Sequence, residues 1–212
     1  MIENDKIQQL WTDLQKTYAL SEKQLEQFKQ YAHELQKWNQ KFNLTALTSM
    51  DDIISYHFDD SLALSQHYDL ATVASIADVG TGAGFPIIPL KILFPQLAVI
   101  LIEVSQKKVT FLEHMVELLG LTDVTIYPHD WKMFVRKTSY PVDMIIARAS
   151  LRPEDLIFMF KPSSLYKDAV LVYWASAQWI GEGKAKEYIT KEADYEVYKK
   201  KRKLVFFKLD NQ

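Results

Sequence analysis

The chain has 212 residues, a hydrophobic share of 48%, a formal net charge of -2 and no cysteine. That length holds one full α/β domain plus a short accessory region, and the apolar share supports a sizeable core, which excludes global disorder. The missing cysteines exclude disulfides and thiolate metal sites, and the near-neutral charge argues against a dedicated nucleic-acid binder, which is often basic overall.

In chain order, the first residues are polar and lack the apolar core of a signal peptide. Residues 1–70 read as a helical region. Ser21 and Gln24 have capping-box spacing, and Leu25, Phe28, Ala32, Leu35 and Trp38 follow at helical spacing. Ser49 with Asp52 repeats the start signal before Ile53, Ile54, Phe58, Leu62 and Leu64. No strand signal occurs before residue 75. From there, in residues 71–212, strands and helices alternate. Strands are expected at 76–79, 98–103, 124–127, 142–147 and 169–174, with helices at 85–94 and 106–119. Segments 195–198 and 204–208 read as a closing pair. This is an α/β, Rossmann-like pattern, mostly parallel with an antiparallel C-terminal edge. The longest apolar run, residues 169–175, is far too short to span a membrane, so a cytoplasmic protein with no membrane partner is expected.

The segment 75–86 reads Ser-Ile-Ala-Asp-Val-Gly-Thr-Gly-Ala-Gly-Phe-Pro. A strand ends at Asp78 and runs into a turn with Gly80, Gly82 and Gly84. Such a turn lets backbone lie against a flat, polar cofactor at the mouth of a parallel sheet. The dinucleotide fingerprint would place its third glycine at residue 85, which is Phe85. A pyrophosphate needs that glycine, whereas S-adenosylmethionine carries no phosphate, so the pattern favours S-adenosylmethionine over NAD. Glu103, at the end of the second strand, can accept both hydroxyls of a ribose, which supports either cofactor equally. No Gly-Lys-Ser/Thr follows the glycines, which excludes a P-loop. A glycine turn in a non-catalytic Rossmann-like binding module is the alternative.

Several segments together resemble one family. They are Asp78 to Leu90 (Asp-Val-Gly-Thr-Gly-Ala-Gly-Phe-Pro-Ile-Ile-Pro-Leu), Leu35 to Thr45 (Leu-Gln-Lys-Trp-Asn-Gln-Lys-Phe-Asn-Leu-Thr), His57 to Leu62 (His-Phe-Asp-Asp-Ser-Leu), Ala147-Arg148-Ala149 and Arg202 to Lys208. From about residue 25 onward the chain resembles the bacterial 16S rRNA guanine-N7 methyltransferases, the RsmG or GidB family. The resemblance implies a class I S-adenosylmethionine-dependent methyltransferase fold, with an N-terminal helical cap over the open end of the sheet. It implies S-adenosyl-L-methionine as cofactor, ribosomal RNA or the small ribosomal subunit as partner, and methyl transfer to a guanine N7. That nitrogen carries an in-plane lone pair and loses no proton on methylation, so no catalytic base and no metal are expected. A methyltransferase of a small molecule or a protein is the second reading.

Carried over by position, the resemblance makes Asp78, Gly80, Thr81, Gly82, Gly84, Phe85 and Arg148 cofactor-site residues, with Glu103 as the ribose acid. Trp131 and Lys132 become the backbone pair at the adenine, with a slip toward Asp130 left open. Asn43, Thr45, His57 and Asp60 would face the substrate, and Lys199, Lys200, Lys201 and Arg202 would grip phosphate. Plainer roles stand beside these. Asn43 and Thr45 suit capping, His57 a hydrogen bond that braces its helix, Arg148 a salt bridge, and Trp131 packing. The lysine run also suits an edge strand protected from aggregation. The chain departs from the family pattern at Tyr56, where many members carry arginine, at Phe85, where leucine is common, at Ala147, where serine is frequent, and near Trp174, where a lysine is usual.

Overall fold

The computed structural model describes residues 2–209. Its helical layer comprises α1 (Ile2–Thr17), α2 (Glu22–Phe42), α3 (Met50–Asp52), a π-helical segment (Ile53–Asp59), α4 (Asp60–Leu62) and α5 (Leu64–His67). Local chemistry sets its boundaries. Ser21 and Gln24 form the full capping box at the start of α2, and the Ser49 side chain accepts from the Asp52 N–H. Asn43 closes α2 in the left-handed region at φ 49, as a C-cap does.

The sheet follows: β1 (Ser75–Val79), α6 (Ile87–Leu93), β2 (Ala98–Ile102), α7 (Gln106–Leu118), β3 (Val124–Tyr127), α8 (Trp131–Lys137), β4 (Met144–Arg148), α9 (Pro153–Leu156), β5 (Val170–Ser176), β6 (Ile189–Val197) and β7 (Lys200–Phe207). The strand order is β3-β2-β1-β4-β5-β7-β6. Strands β1 to β5 run parallel, and β7 runs antiparallel to both of its neighbours. The order reverses beside the central β1, so the C-terminal ends of β1, β2 and β4 open onto one crevice, where ligands bind in such sheets.

Alternation along the strands sorts the apolar residues into two cores. Ile76, Val99, Leu101, Met144, Ile146, Val172, Trp174, Leu204 and Phe206 face the helical layer together with α6 and α7. Ala77, Val79, Ile100, Ile102, Ile145, Ala147, Leu171, Val205 and Phe207 face the other side, toward α8 and α9. The helical layer and the sheet share the first cluster without a break: Phe28, Tyr31, Leu35 and Phe58 belong to it beside Ile88 and Leu90. Among the described residues no helix is long and apolar enough to cross a membrane.

Several boundaries differ from the sequence reading. The helix expected from residue 85 begins at Ile87, because Pro86 caps it and Phe85 is held in the turn. Pro89 then falls in the first turn, where its missing N–H is no loss. β4 begins at Met144, because the Asp143 carboxylate caps β1, accepting from the Ala74 and Ser75 N–H groups at 2.8 and 2.9 Å. β6 and β7 extend well beyond the expected segments. The basic run is also not an edge: β7 lies between β5 and β6, so edge protection does not explain its lysines.

Candidate active site

A pocket of about 630 Å³ opens at the C-terminal ends of β1, β2 and β4. Gly80, Glu103, Val104, Trp131, Lys132 and Ser150 are among its walls. Gly80 turns at φ 67, and a Cβ there would stand 2.6 Å from the Cβ of Ser150. The turn therefore needs glycine because the chain after β4 crosses directly over it. Gly84 is fixed from the opposite side, since a Cβ would meet Ile88 and the Tyr31 hydroxyl.

Glu103 is buried and its carboxylate is pinned on both oxygens. Oε2 accepts from the Gly82 N–H at 2.9 Å and Oε1 from the Ser105 N–H at 2.9 Å. Each oxygen has two lone pairs, so each keeps one free for a ligand hydroxyl. Ser150 Oγ is buried with no hydrogen-bond partner among the described residues. These features fit a ribose-bearing cofactor: a positioned acceptor, an unpaired hydroxyl in the wall, and a size typical of small-molecule sites. Trp131 is the first residue of α8, whose cap Asp130 accepts from the Met133 N–H at 2.8 Å. The Trp131 ring is buried, and its Nε1 donates to the Asp155 carbonyl at 3.2 Å. Lys132 is exposed on the pocket rim.

Four of the carried-over side chains, those of Phe85, Asp78, Thr81 and Arg148, are not among the walls of this pocket. Phe85 is buried between two rings, parallel to His57 at 4.3 Å and to Tyr31 at 5.1 Å. Tyr31 donates its hydroxyl to the Ala83 carbonyl, tying α2 to the glycine turn. Asp78 shares its side of β1 with Ile76, below the turn, and neither carboxylate oxygen has a hydrogen-bond partner among the described residues. Burial is the largest influence on it and pushes its pKa up to about 8. Thr81 Oγ1 is likewise buried without a partner.

Arg148 turns toward the helical layer. It donates to Asp60 Oδ2 at 2.8 Å, to the Tyr56 carbonyl at 3.3 Å and to His57 Nδ1 at 3.1 Å. A guanidinium has only donors, so His57 Nδ1 must accept, and the ring proton sits on Nε2. Nε2 then donates to Thr45 Oγ1 at 2.8 Å. Burial, then the adjacent Arg148 charge, pushes the His57 pKa down to about 3, so the imidazole is neutral. Asp60 gathers more partners: Tyr195 donates to Oδ1 at 2.7 Å, and Arg202 reaches both oxygens at 3.3 and 3.2 Å. Burial works against the charged form of Asp60, but Arg148 and Arg202 outweigh it and hold the carboxyl below its usual range. Trp174 donates its indole N–H to the Asp60 carbonyl at 2.9 Å.

These residues line a second pocket of about 190 Å³, walled by Tyr56, His57, Asp60, Arg148, Lys200 and Arg202. Ala149, in the left-handed region at φ 52, lines both pockets. Thr45, His57, Asp60, Arg148, Lys200 and Arg202 thus come together, while Asn43 stays away as the exposed cap of α2. Lys199 and Lys201 are exposed nearby on the hairpin. The sequence reading missed Ser150, Tyr195 and Asn39, whose side chain clamps the Thr45 backbone at 2.8 and 2.9 Å. Ser150 had a usable signal, since it follows Arg148 at the ligand-binding end of a strand. Tyr195 had none, because its partner lies far away in the sequence.

The profile of the family described as GidB, rRNA small subunit methyltransferase G, matches residues 24–211. The chain belongs to the GidB family. A relative named ribosomal RNA small subunit methyltransferase G from Halalkalibacterium halodurans is 43% identical over 137 residues, covering 64% of this chain and 58% of that protein. One of the same name from Oceanobacillus iheyensis is 39% identical over 166 residues, covering 77% of this chain and 69% of that protein. The chain thus matches under two thirds of the length of the first relative. Among solved structures, a variant of MtNAS in complex with S-adenosylmethionine superposes with a TM-score of 0.54 at 13% identity, covering 94% of this chain and 78% of that one. At that identity the likeness shows the fold alone; the strand order and the family together make it a class I S-adenosylmethionine-dependent methyltransferase fold with an N-terminal helical layer.

Proposed function

We propose that this chain binds S-adenosyl-L-methionine in the larger pocket and methylates N7 of a guanine in small-subunit (16S) ribosomal RNA, in the cytoplasm. The observation that carries the reading is the meeting of two unlike pockets at Ala149. One offers a ribose acceptor. The other is lined by Arg148, Arg202 and Lys200 around the single carboxylate of Asp60, which leaves an excess of positive charge for an anionic acceptor such as RNA. Membership of the GidB family supports the choice of RNA and of the small subunit.

In this reading Glu103 accepts the ribose hydroxyls, Gly80, Thr81, Gly82 and Gly84 shape the backbone cradle, and Trp131 and Lys132 border the adenine. Asp78 supports the cradle from beneath. Phe85 and Arg148 act at one remove, holding the floor between cofactor and substrate. The bound cofactor supplies an electrophilic methyl group on a sulfonium centre. Guanine N7 attacks with a lone pair it already has, so no residue needs to take a proton. The neutral His57, with both ring nitrogens engaged, acts as a brace and not as a base. The chain's work is alignment and exclusion of water. Residues 1–70 form the substrate-side layer and residues 71–212 the methyltransferase domain. Lys199, Lys200, Lys201 and Arg202 lie on the RNA side, with Arg202 acting through Asp60.

Calorimetric titration tests the cofactor half. S-adenosylmethionine should bind and NAD should not. Glu103→Ala should weaken S-adenosylmethionine binding by about 1–3 kcal/mol, the cost of leaving buried hydroxyls unpaired. Wild-type affinity in Glu103→Ala would remove the ribose assignment.

A further inference from the structure

The hairpin between β6 and β7 turns in two residues, Tyr198 and Lys199, flanked by the paired Val197 and Lys200. Tyr198 sits at φ 52. A two-residue hairpin turn takes glycine or asparagine there, because an L side chain is strained in the left-handed region. Burial does not offset that strain, since Tyr198 is 42% exposed. A bulky aromatic held out at a strained position points to a use for its ring.

The surroundings define that use. Tyr56, on the π-helical segment, meets the Tyr198 ring edge-on, with centroids 5.9 Å apart at 73°. Lys199 Nζ lies 5.1 Å from the Tyr198 centroid, and Lys200 Nζ lies 4.1 Å from that of Tyr56. Lys6 of α1 lies 5.8 Å from the Tyr198 centroid, held there by its ion pair with Asp51. Tyr56 and Lys200 also line the smaller, basic pocket. A strip of alternating rings and cations therefore runs from the mouth of the site to the hairpin tip. A paired base is stacked on both faces within its helix, whereas an unpaired base can lay a face on an aromatic ring. Lysines beside such a ring suit the phosphates on either side.

We propose that Tyr198 is a stacking platform for an unpaired base of the RNA substrate, with Lys199 and Lys200 contacting the adjoining phosphates and Tyr56 supporting the ring. This rests on the proposed RNA substrate and adds the strand state and the residue that reads it.

The test is fluorescence anisotropy with a short labelled single-stranded oligoribonucleotide and with the same strand annealed to its complement. Wild type should prefer the single strand. Tyr198→Ala should weaken single-strand binding about ten-fold, the size of one lost base–aromatic stack, and leave duplex binding and the salt slope unchanged. Tyr198→Phe should bind like wild type. Tyr198→Gly, which relieves the strained φ, should raise Tm while losing the same affinity, so the loss cannot be ascribed to misfolding. Equal single-strand affinity in wild type and Tyr198→Ala overturns the platform, as does a wild type that prefers the duplex. If methylation of ribosomal RNA persists in either case, the functional reading stands without it. A wild type that binds neither oligonucleotide also overturns the platform, and methylation of ribosomal RNA then decides the functional reading on its own.

Discussion

A carboxylate enclosed without a partner titrates against the folded state, and Asp78 is such a group. Its usual pKa of 3.8 becomes about 8 on folding. Between those values the folded chain holds a proton that the unfolded chain has released. Its contribution to stability is therefore complete below pH 3.8 and is lost as pH rises through 8. His57 works in the opposite direction, from 6.5 unfolded to about 3 folded: stability present above pH 6.5 is lost as pH falls toward 3. Above pH 6.5 the Asp78 slope stands without this opposition. Tm should accordingly decline from pH 6.5 to 8, and Asp78→Asn, of equal shape and always neutral, should flatten that decline. An unchanged decline in the variant would assign it to other groups. At this scale the sequence was partly legible. The acid after β2 sits in the pocket wall where its spacing placed it, because strand ends are local features. The directions of Phe85 and Arg148 were not legible, since each is set by helical segments more than twenty residues away that supply its neighbours Tyr31 and His57.

The π-helical segment is the element on which the basic pocket depends. At its C-terminal end the Asp60 N–H donates to the His57 carbonyl, three residues back, instead of to the Tyr56 carbonyl, and Tyr56 O accepts from Arg148. This irregular helix end thus presents a carbonyl, an imidazole and a carboxylate to one guanidinium, a use typical of such irregularities at functional sites. Asp60 joins this element to β4 and β7 through Arg148 and Arg202. Their side chains are 9% and 31% exposed against 2% for Asp60, so Arg148 has little water to fall back on. Asp60→Asn should cost about 3–5 kcal/mol in denaturant unfolding, because it leaves buried positive charge uncompensated. A loss below about 1 kcal/mol would mark the pairs as surface-like. Helical spacing revealed this segment as a helix but not as a π-helix, because the apolar positions alone do not distinguish the two ladders. β6 was mostly hidden because it is an edge strand, and its Lys191, Glu192, Asp194 and Glu196 mask the alternation. The charged first half of β7 was hidden for a related reason: Arg202 and Lys203 are partly buried through ion pairs and not through apolar contact.

Across the whole molecule, two alternating cores on a mostly parallel sheet place two pockets side by side at the strand ends, and one residue, Ala149, borders both. The alternation of strands and helices made this architecture legible in the sequence, since each unit carries its own periodicity. The pairing of pockets was not legible, because it depends on the helical layer folding back over β4 and on β7 entering between β5 and β6. The most direct test is transfer of labelled methyl from S-adenosylmethionine to small ribosomal subunits from a strain lacking this gene, with the modified base mapped. Label recovered as 7-methylguanine in 16S ribosomal RNA is the predicted result. No label in ribosomal RNA, with S-adenosylmethionine binding intact, would contradict it and assign the basic pocket to another methyl acceptor.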